Sequence, residues 1–147
     1  MESKTVNVLL VEDNEVDVEA VHRAFRKHKI ANPVHIARDG VEALEILRGE
    51  GGEAVLDRPY LILLDLNLPR MNGIDFLREL RRDARLKDSI VFVLTTSQNQ
   101  DDQSASYSFN VAGYIVKGNI GRDFIGLVDM LDSYWRVVEF PPPRVDA

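Results

Sequence analysis

Four groups of side chains in this sequence have types and positions that suit joint chemistry. Glu12-Asp13 follows the apolar run 6–11, and Asp65 follows the apolar run 60–64. Thr95-Thr96-Ser97 follows the run 90–94, and Lys117 ends the run 113–116. Asp65 lies midway in sequence between Asp13 and Lys117. Taken alone, an Asp in that position reads most simply as a strand-ending or capping residue. The other three groups reverse that reading. If the runs are parallel strands, all four groups arrive on one edge of a sheet. Clustered carboxylates repel unless cations compensate them. One ammonium and one Mg²⁺ balance the three charges of Glu12, Asp13 and Asp65. Mg²⁺ takes oxygen ligands, needs few carboxylates and keeps several waters. The set therefore suits a divalent cation and a phosphoryl group.

The intervening sequence supplies the elements that would bring these groups together. Residues 61–64 are apolar without alternation, as in a central parallel strand covered on both faces. Val18, Val21 and Phe25 recur at helical spacing after a cap at Asp13 or Asn14. Asn32-Pro33 breaks that helix, and residues 34–37 form a short second strand. Asp39-Gly40 caps a second helix with Val41, Leu44 and Leu47 on its stripe, and 49–52 is a flexible loop. Pro69, Asn72 and Gly73 mark the loop after strand three, and Ile74, Leu77 and Leu80 line helix three. The polar segment 98–110 is weakly periodic; it predicts a loosely held helix anchored by Ala105, Tyr107, Phe109 and Val111. Helix five carries Ile120, Phe124, Leu127, Leu131 and Trp135. Strands alternating with helices require crossovers. The expected fold is α/β, a single doubly wound sandwich with a five-stranded parallel sheet. Periodicity leaves the strand order open.

Composition narrows the function. The 147 residues, 45% hydrophobic and 29% charged, suit one globular domain with a full core. Absence of cysteine excludes disulfides, thiolate metal sites and cysteine nucleophiles. A polar start and no apolar run near the ~18 residues of a membrane span predict a cytoplasmic protein without membrane attachment. The net charge of −6 argues against binding to nucleic acid. The cluster Arg78, Arg81, Arg82, Arg85 and Lys87 is interrupted by Glu79, Asp83 and Asp88, and reads as a solvated helix face. His22, His28 and His35 lack metal-ligand spacing and read as structural or surface residues.

Residues 11–13, 64–69, 93–95 and 113–117 together resemble, in order and spacing, the receiver domain of two-component response regulators. The resemblance covers about residues 5–136 and implies a (βα)5 flavodoxin-like sandwich, the fold of the chemotaxis response regulator. It implies that Asp65 accepts a phosphoryl group from a histidine kinase or phosphotransfer protein and slowly autodephosphorylates. The chain would then be a signalling protein and not a conventional enzyme. Asp13 would bind Mg²⁺ directly, Glu12 through a coordinated water, and Asp65 and the Asn67 backbone carbonyl would complete the protein ligands, with Mn²⁺ able to substitute. Lys117 would pair with a phosphoryl oxygen. Thr95 would be drawn to the acyl phosphate, letting Tyr114 rotate inward and shifting the surface between strand four and helix five. Phosphoryl transfer is mostly positioning and charge neutralisation, which these residues can supply.

The sequence departs from the family at two places. Gly118 follows the lysine where many members have Pro, and Thr96 stands where a smaller residue is usual. The second leaves Thr95 and Thr96 as rival switch hydroxyls, of which Thr95 is preferred. The receiver is expected over 1–137 as a stand-alone unit, with 138–147 a Pro-rich tail. Ile125, Met130, Tyr134, Val137, Val138 and Phe140 cannot all face one sheet. Either the tail folds back on the core, or helix five and the tail reach a second copy in a homodimer. The strings 133–142, 94–97 and 117–118 are similar to those of regulators paired with phytochrome kinases. Two other readings are a pseudo-receiver that only binds and a phosphate sink without an output partner. A haloacid-dehalogenase-type phosphatase is the enzymatic rival, but it needs a second Asp where Asn67 stands.

Overall fold

The computed structural model describes residues 5–50 and 55–143. Gly51 and Gly52 of the expected loop and residues 144–147 of the tail lie outside the described residues. Five parallel strands, β1 (Asn7–Val11), β2 (Val34–Ala37), β3 (Tyr60–Leu64), β4 (Ile90–Thr95) and β5 (Gly113–Val116), form one sheet in the order β2-β1-β3-β4-β5. The helices are α1 (Glu15–Lys27), α2 (Gly40–Arg48), α3 (Gly73–Arg82), α4 (Gln100–Ser108) and α5 (Ile125–Val137). This is the expected doubly wound α/β fold.

The period of two along each strand divides the core into two layers. Leu9, Val11, Ile62, Leu64, Val91 and Val93 face α2 and α3, where Leu44, Leu47, Phe76, Leu77 and Leu80 are buried. Val8, Leu10, Leu61, Leu63 and Leu94 face α1 and α5, meeting Val21, Phe25, Leu127 and Leu131. Residues 61–64 are wholly buried because β3 is central and covered on both sides. The chain runs outward from β1 to β2, then returns past β1 to β3. The sheet order therefore reverses between β1 and β3, and open α/β sheets bind ligands beyond the carboxyl ends of strands at such a point.

Of the two caps expected for α1, Asn14 is the one used, its side chain accepting from the backbone N–H of Val16 and Asp17. Two local expectations change. α5 begins at Ile125, so Ile120 and Phe124 precede it. Gly121, Asp123 and Phe124 have φ of 78°, 58° and 55°, left-handed values that a right-handed helix cannot include. The segment expected as a loose helix does form α4, capped by Asn99, but Tyr107 points outward at 52% exposure and Ser106 is the buried residue.

Arg81 is not part of a solvated face. Its guanidinium donates to the carbonyls of Phe109 (2.6 Å), Lys87 (2.8 Å), Ser89 (2.8 Å) and Asn110 (3.1 Å), joining α3 to the segments on either side of β4 and α4. Burial holds its pKa below the ordinary arginine value.

The described part of the tail, 138–143, lies on its own domain. Tyr134 packs edge-on against Phe92 at 5.0 Å, and Phe140 against Tyr134 at 5.8 Å. Arg58 donates to the carbonyl of Pro142 at 3.2 Å. Ile125 and Val137 remain exposed on α5, at 45% and 82%. Among the described residues no helix is long and apolar enough to cross a membrane.

Candidate functional site

Glu12 and Asp65 are the first residues past the carboxyl ends of β1 and β3, whose register pairs Val11 with Leu64. The two carboxylates are therefore brought side by side at the reversal point. Both are buried. Asp65 is bound at both oxygens. Oδ1 accepts from the Thr95 hydroxyl at 2.9 Å and from the Asn67 backbone N–H at 3.2 Å, while Oδ2 accepts from Lys117 Nζ at 3.1 Å. Lys117 also donates to Glu12 Oε1 at 2.5 Å and to Asp17 Oδ2 at 2.7 Å.

One ammonium shared among three carboxylates cannot neutralise them. Burial, together with the neighbouring Asp65 charge, pushes Glu12 up to about 7 even though its hydrogen bond to Lys117 opposes the rise. Burial acts to lower the pKa of Lys117, but Asp17, Glu12 and the Asp65 charge outweigh it and hold Lys117 above the ordinary lysine value. The side chains of the site thus carry more negative than positive charge, which suits a donor set able to take up a further cation.

Asp13 projects from the adjacent position and is exposed, with no hydrogen bond or ion pair to the cluster among the described residues. Among the described residues no three acidic or histidine groups converge as a ready-made metal cage. The oxygens that could receive a hard cation are those of Glu12, Asp13 and Asp65 and the Asn67 carbonyl, at the mouth of the site. Next to this mouth a cleft of about 510 Å³ is lined by Leu66, Asn67, Leu68, Asn72, Ile74 and Asp102. The larger cleft, about 640 Å³, includes Tyr60 at the opposite end of β3 and is remote from the cluster. Gly73 lets α3 start against the Asp65 loop, because a Cβ there would lie 2.6 Å from the Asp65 carbonyl oxygen.

Position separates the two rival hydroxyls: Thr95 is fully buried and bound to Asp65, whereas Thr96 is exposed. Tyr114 Oη donates to the Ser97 carbonyl at 2.9 Å, and Ser97 Oγ donates to Asp102 on α4 at 2.6 Å. Sequence reasoning missed Asp17 and Asp102. Asp17 carried a faint signal as an acid one helical turn past the cap, on the side of α1 that also carries Val21. Asp102 carried none, since α4 lacks a clear periodic face.

The model of the response regulator receiver domain matches residues 8–128. The chain belongs to that family. Among its relatives, this receiver is 39% identical over 128 residues to "Response regulator Rcp1" of Synechocystis, with 87% of each chain covered. Its structure is similar to that of the phosphorylated cyanobacterial phytochrome response regulator RcpA, with a TM-score of 0.83 and 38% identity over 95% of this chain and all of that one. It is also similar to the Mn²⁺-bound form of Rcp1, with a TM-score of 0.81 and 38% identity over 93% of this chain and 99% of that one. The receiver resemblance carried by the strand-end motifs is therefore correct, as is the likeness to phytochrome-associated regulators.

Proposed function

We propose that this receiver is a phosphoacceptor in a two-component phosphorelay, with Asp65 taking the phosphoryl group. The observation that carries the reading is the paired hold on Asp65, by Thr95 on one carboxylate oxygen and Lys117 on the other. A carboxylate oxygen of Asp65 attacks phosphorus, the P–N bond of a kinase phosphohistidine breaks, and the imidazole leaves. Water later attacks the same phosphorus, releasing orthophosphate and regenerating the carboxylate in a slow autodephosphorylation. Thr95 and Lys117 are placed to hydrogen-bond the phosphoryl oxygens that accumulate charge. A divalent cation, Mg²⁺ with Mn²⁺ as substitute, would be held by Asp13, Asp65 and the Asn67 carbonyl, with Glu12 acting through water. When bound, it supplies the charge neutralisation that the shared ammonium cannot. The chain's chemistry is confined to its own phosphorylation state.

The likeness to phytochrome response regulators supports a phytochrome-type histidine kinase upstream and a cytoplasmic light-signalling role, and the net charge of −6 supports a role without contact to nucleic acid. The output we propose is a shift of the β4–α4–β5–α5 surface through Thr95 and Tyr114, read by a homodimer. Residues 1–137 form the receiver unit, and exposed Ile125 and Val137 support α5 as the dimer face. Phe140 and Pro141–143 pack on their own domain, so the tail would join that face from beside α5.

The test is phosphoryl uptake from acetyl phosphate with Mg²⁺, followed by intact mass and size-exclusion chromatography. One phosphoryl mass gained by the wild type and lost in Asp65→Asn is the expected result. No gain with acetyl phosphate or with a phosphorylated kinase would leave a receiver that signals by binding alone.

A further inference from the structure

Lys117 lies closer to Glu12 and Asp17 than to Asp65, at 2.5, 2.7 and 3.1 Å. We propose that Asp17 is a positioning residue for phosphoryl transfer, anchoring the Lys117 ammonium while its two other partners are drawn into the reaction. This rests on the phosphoacceptor reading above. In that reading the Asp65 oxygens turn to phosphorus and the cation, and Glu12 turns to a coordinated water. Both therefore loosen their hold on Lys117 as the reaction proceeds. Asp17 belongs to neither set, and its contact with Lys117 persists throughout.

The backbone around Lys117 does little to aim its side chain. Lys117 opens a 3-10 turn, followed by exposed Gly118, where an added Cβ would touch nothing within 4 Å. The turn's own closing bond, from Ile120 N–H to the Lys117 carbonyl, is long at 3.5 Å. Asp17 is itself firmly placed. It lies in the first turn of α1, its N–H bound to the Asn14 side chain at 3.2 Å, and an anion is favourable at that helix end. An ammonium fixed by a carboxylate outside the reacting atoms is pre-organised, and loss of such positioning costs rate out of proportion to the energy of the contact.

The experiment compares wild type, Asp17→Asn, Lys117→Ala and the double variant for the rate of uptake from acetyl phosphate at fixed Mg²⁺. It is joined by ¹H–¹⁵N detection of the Lys117 ammonium in the metal-free protein at low temperature. Asp17→Asn should slow uptake about ten- to a hundredfold, and should have no further effect once Lys117 is Ala. The ammonium signal, protected from exchange in the wild type, should broaden or vanish in Asp17→Asn. Unchanged uptake in Asp17→Asn would overturn the proposal. So would an equal loss in the Lys117→Ala background, since Asp17 would then act by another route. If the wild type takes up no phosphoryl group from acetyl phosphate or from a phosphorylated kinase, the phosphoacceptor reading fails. The anchoring of Lys117 still stands or falls on the ammonium signal.

Discussion

The Tyr114 hydroxyl donates a 2.9 Å hydrogen bond to the backbone carbonyl of Ser97. The N–H of the same Ser97 reaches Thr95 Oγ1 at 3.4 Å, and Thr95 in turn donates to Asp65. Ser97 thus touches the groups proposed for both ends of the switch, and its own hydroxyl is held by Asp102 of α4. Movement of Thr95 toward a phosphoryl group would strain a segment that also anchors the tyrosine and the helix. The ring and α4 would then shift together, as one two-state element.

Tyr114→Phe removes the Ser97 contact while keeping the ring. It should leave phosphoryl uptake at Asp65 within about twofold of wild type, and lower stability by about 1 kcal/mol, a typical net hydrogen bond. The phosphorylation-linked amide shifts of β4, α4 and β5 should shrink, because the unphosphorylated ring is no longer held in place. Heteronuclear NMR before and after phosphorylation measures this. A full-sized response would show that the hydroxyl has no part in setting the resting state.

Thr95→Val keeps shape and burial but removes the donor to the Asp65 carboxylate. Hydrogen bonds to charged groups contribute roughly 1.5–3 kcal/mol, so urea titrations should show the metal-free variant to be less stable by about that amount. In an Asp65→Ala background the same substitution should be nearly neutral, because no buried acceptor is left unpaired. An equal loss in both backgrounds would assign the cost to packing in β4.

Much of this arrangement was legible in the sequence, for reasons that can be located. The uninterrupted apolar residues 61–64 required cover on both faces, and the alternation of strands and helices then placed Glu12, Asp65, Thr95 and Lys117 on one edge. What could not be read is what depends on tertiary approach. The contact between Asp17 and Lys117 joins α1 to the end of β5, far apart in sequence, and Arg81 looks in sequence like its exposed neighbours. The start of α5 was missed because Asp123 and Phe124 adopt left-handed angles that neither residue type advertises.

Arg81 carries a prediction of its own. Four carbonyls accept from its planar guanidinium, and a lysine ammonium has neither the number nor the fork of donors to replace them. Arg81→Lys should therefore destabilise the protein by about 1–2 kcal/mol in urea titrations, since the partly buried bonds to the Phe109 and Ser89 carbonyls are lost. Hydrogen exchange should quicken first around Lys87–Ser89 and Phe109–Asn110, where the lost contacts lie. A loss under about 0.5 kcal/mol would mean that water serves these carbonyls equally well.

Glu12 gives stability a distinctive pH dependence. Its pKa is pushed up from 4.5 to about 7, chiefly by burial, so the folded chain binds a proton more tightly there than the unfolded chain does. Between those two values the native state holds more protons, and stability falls as pH rises. The contribution is bounded at roughly 3.5 kcal/mol, since each tenfold difference in proton affinity between the two states is worth about 1.4 kcal/mol. With a chelator present, urea midpoints should therefore decrease between pH 5 and pH 8. Glu12→Gln carries no charge to bury and should flatten that part of the slope. Mg²⁺ should recover stability in the wild type at pH 8 if the proposed cation site at Glu12, Asp13 and Asp65 is right, since the ion would then replace the compensation that the proton gave at low pH. If the two slopes coincide without metal, then Lys117 alone balances the buried carboxylates, and the excess negative charge argued for the site does not exist.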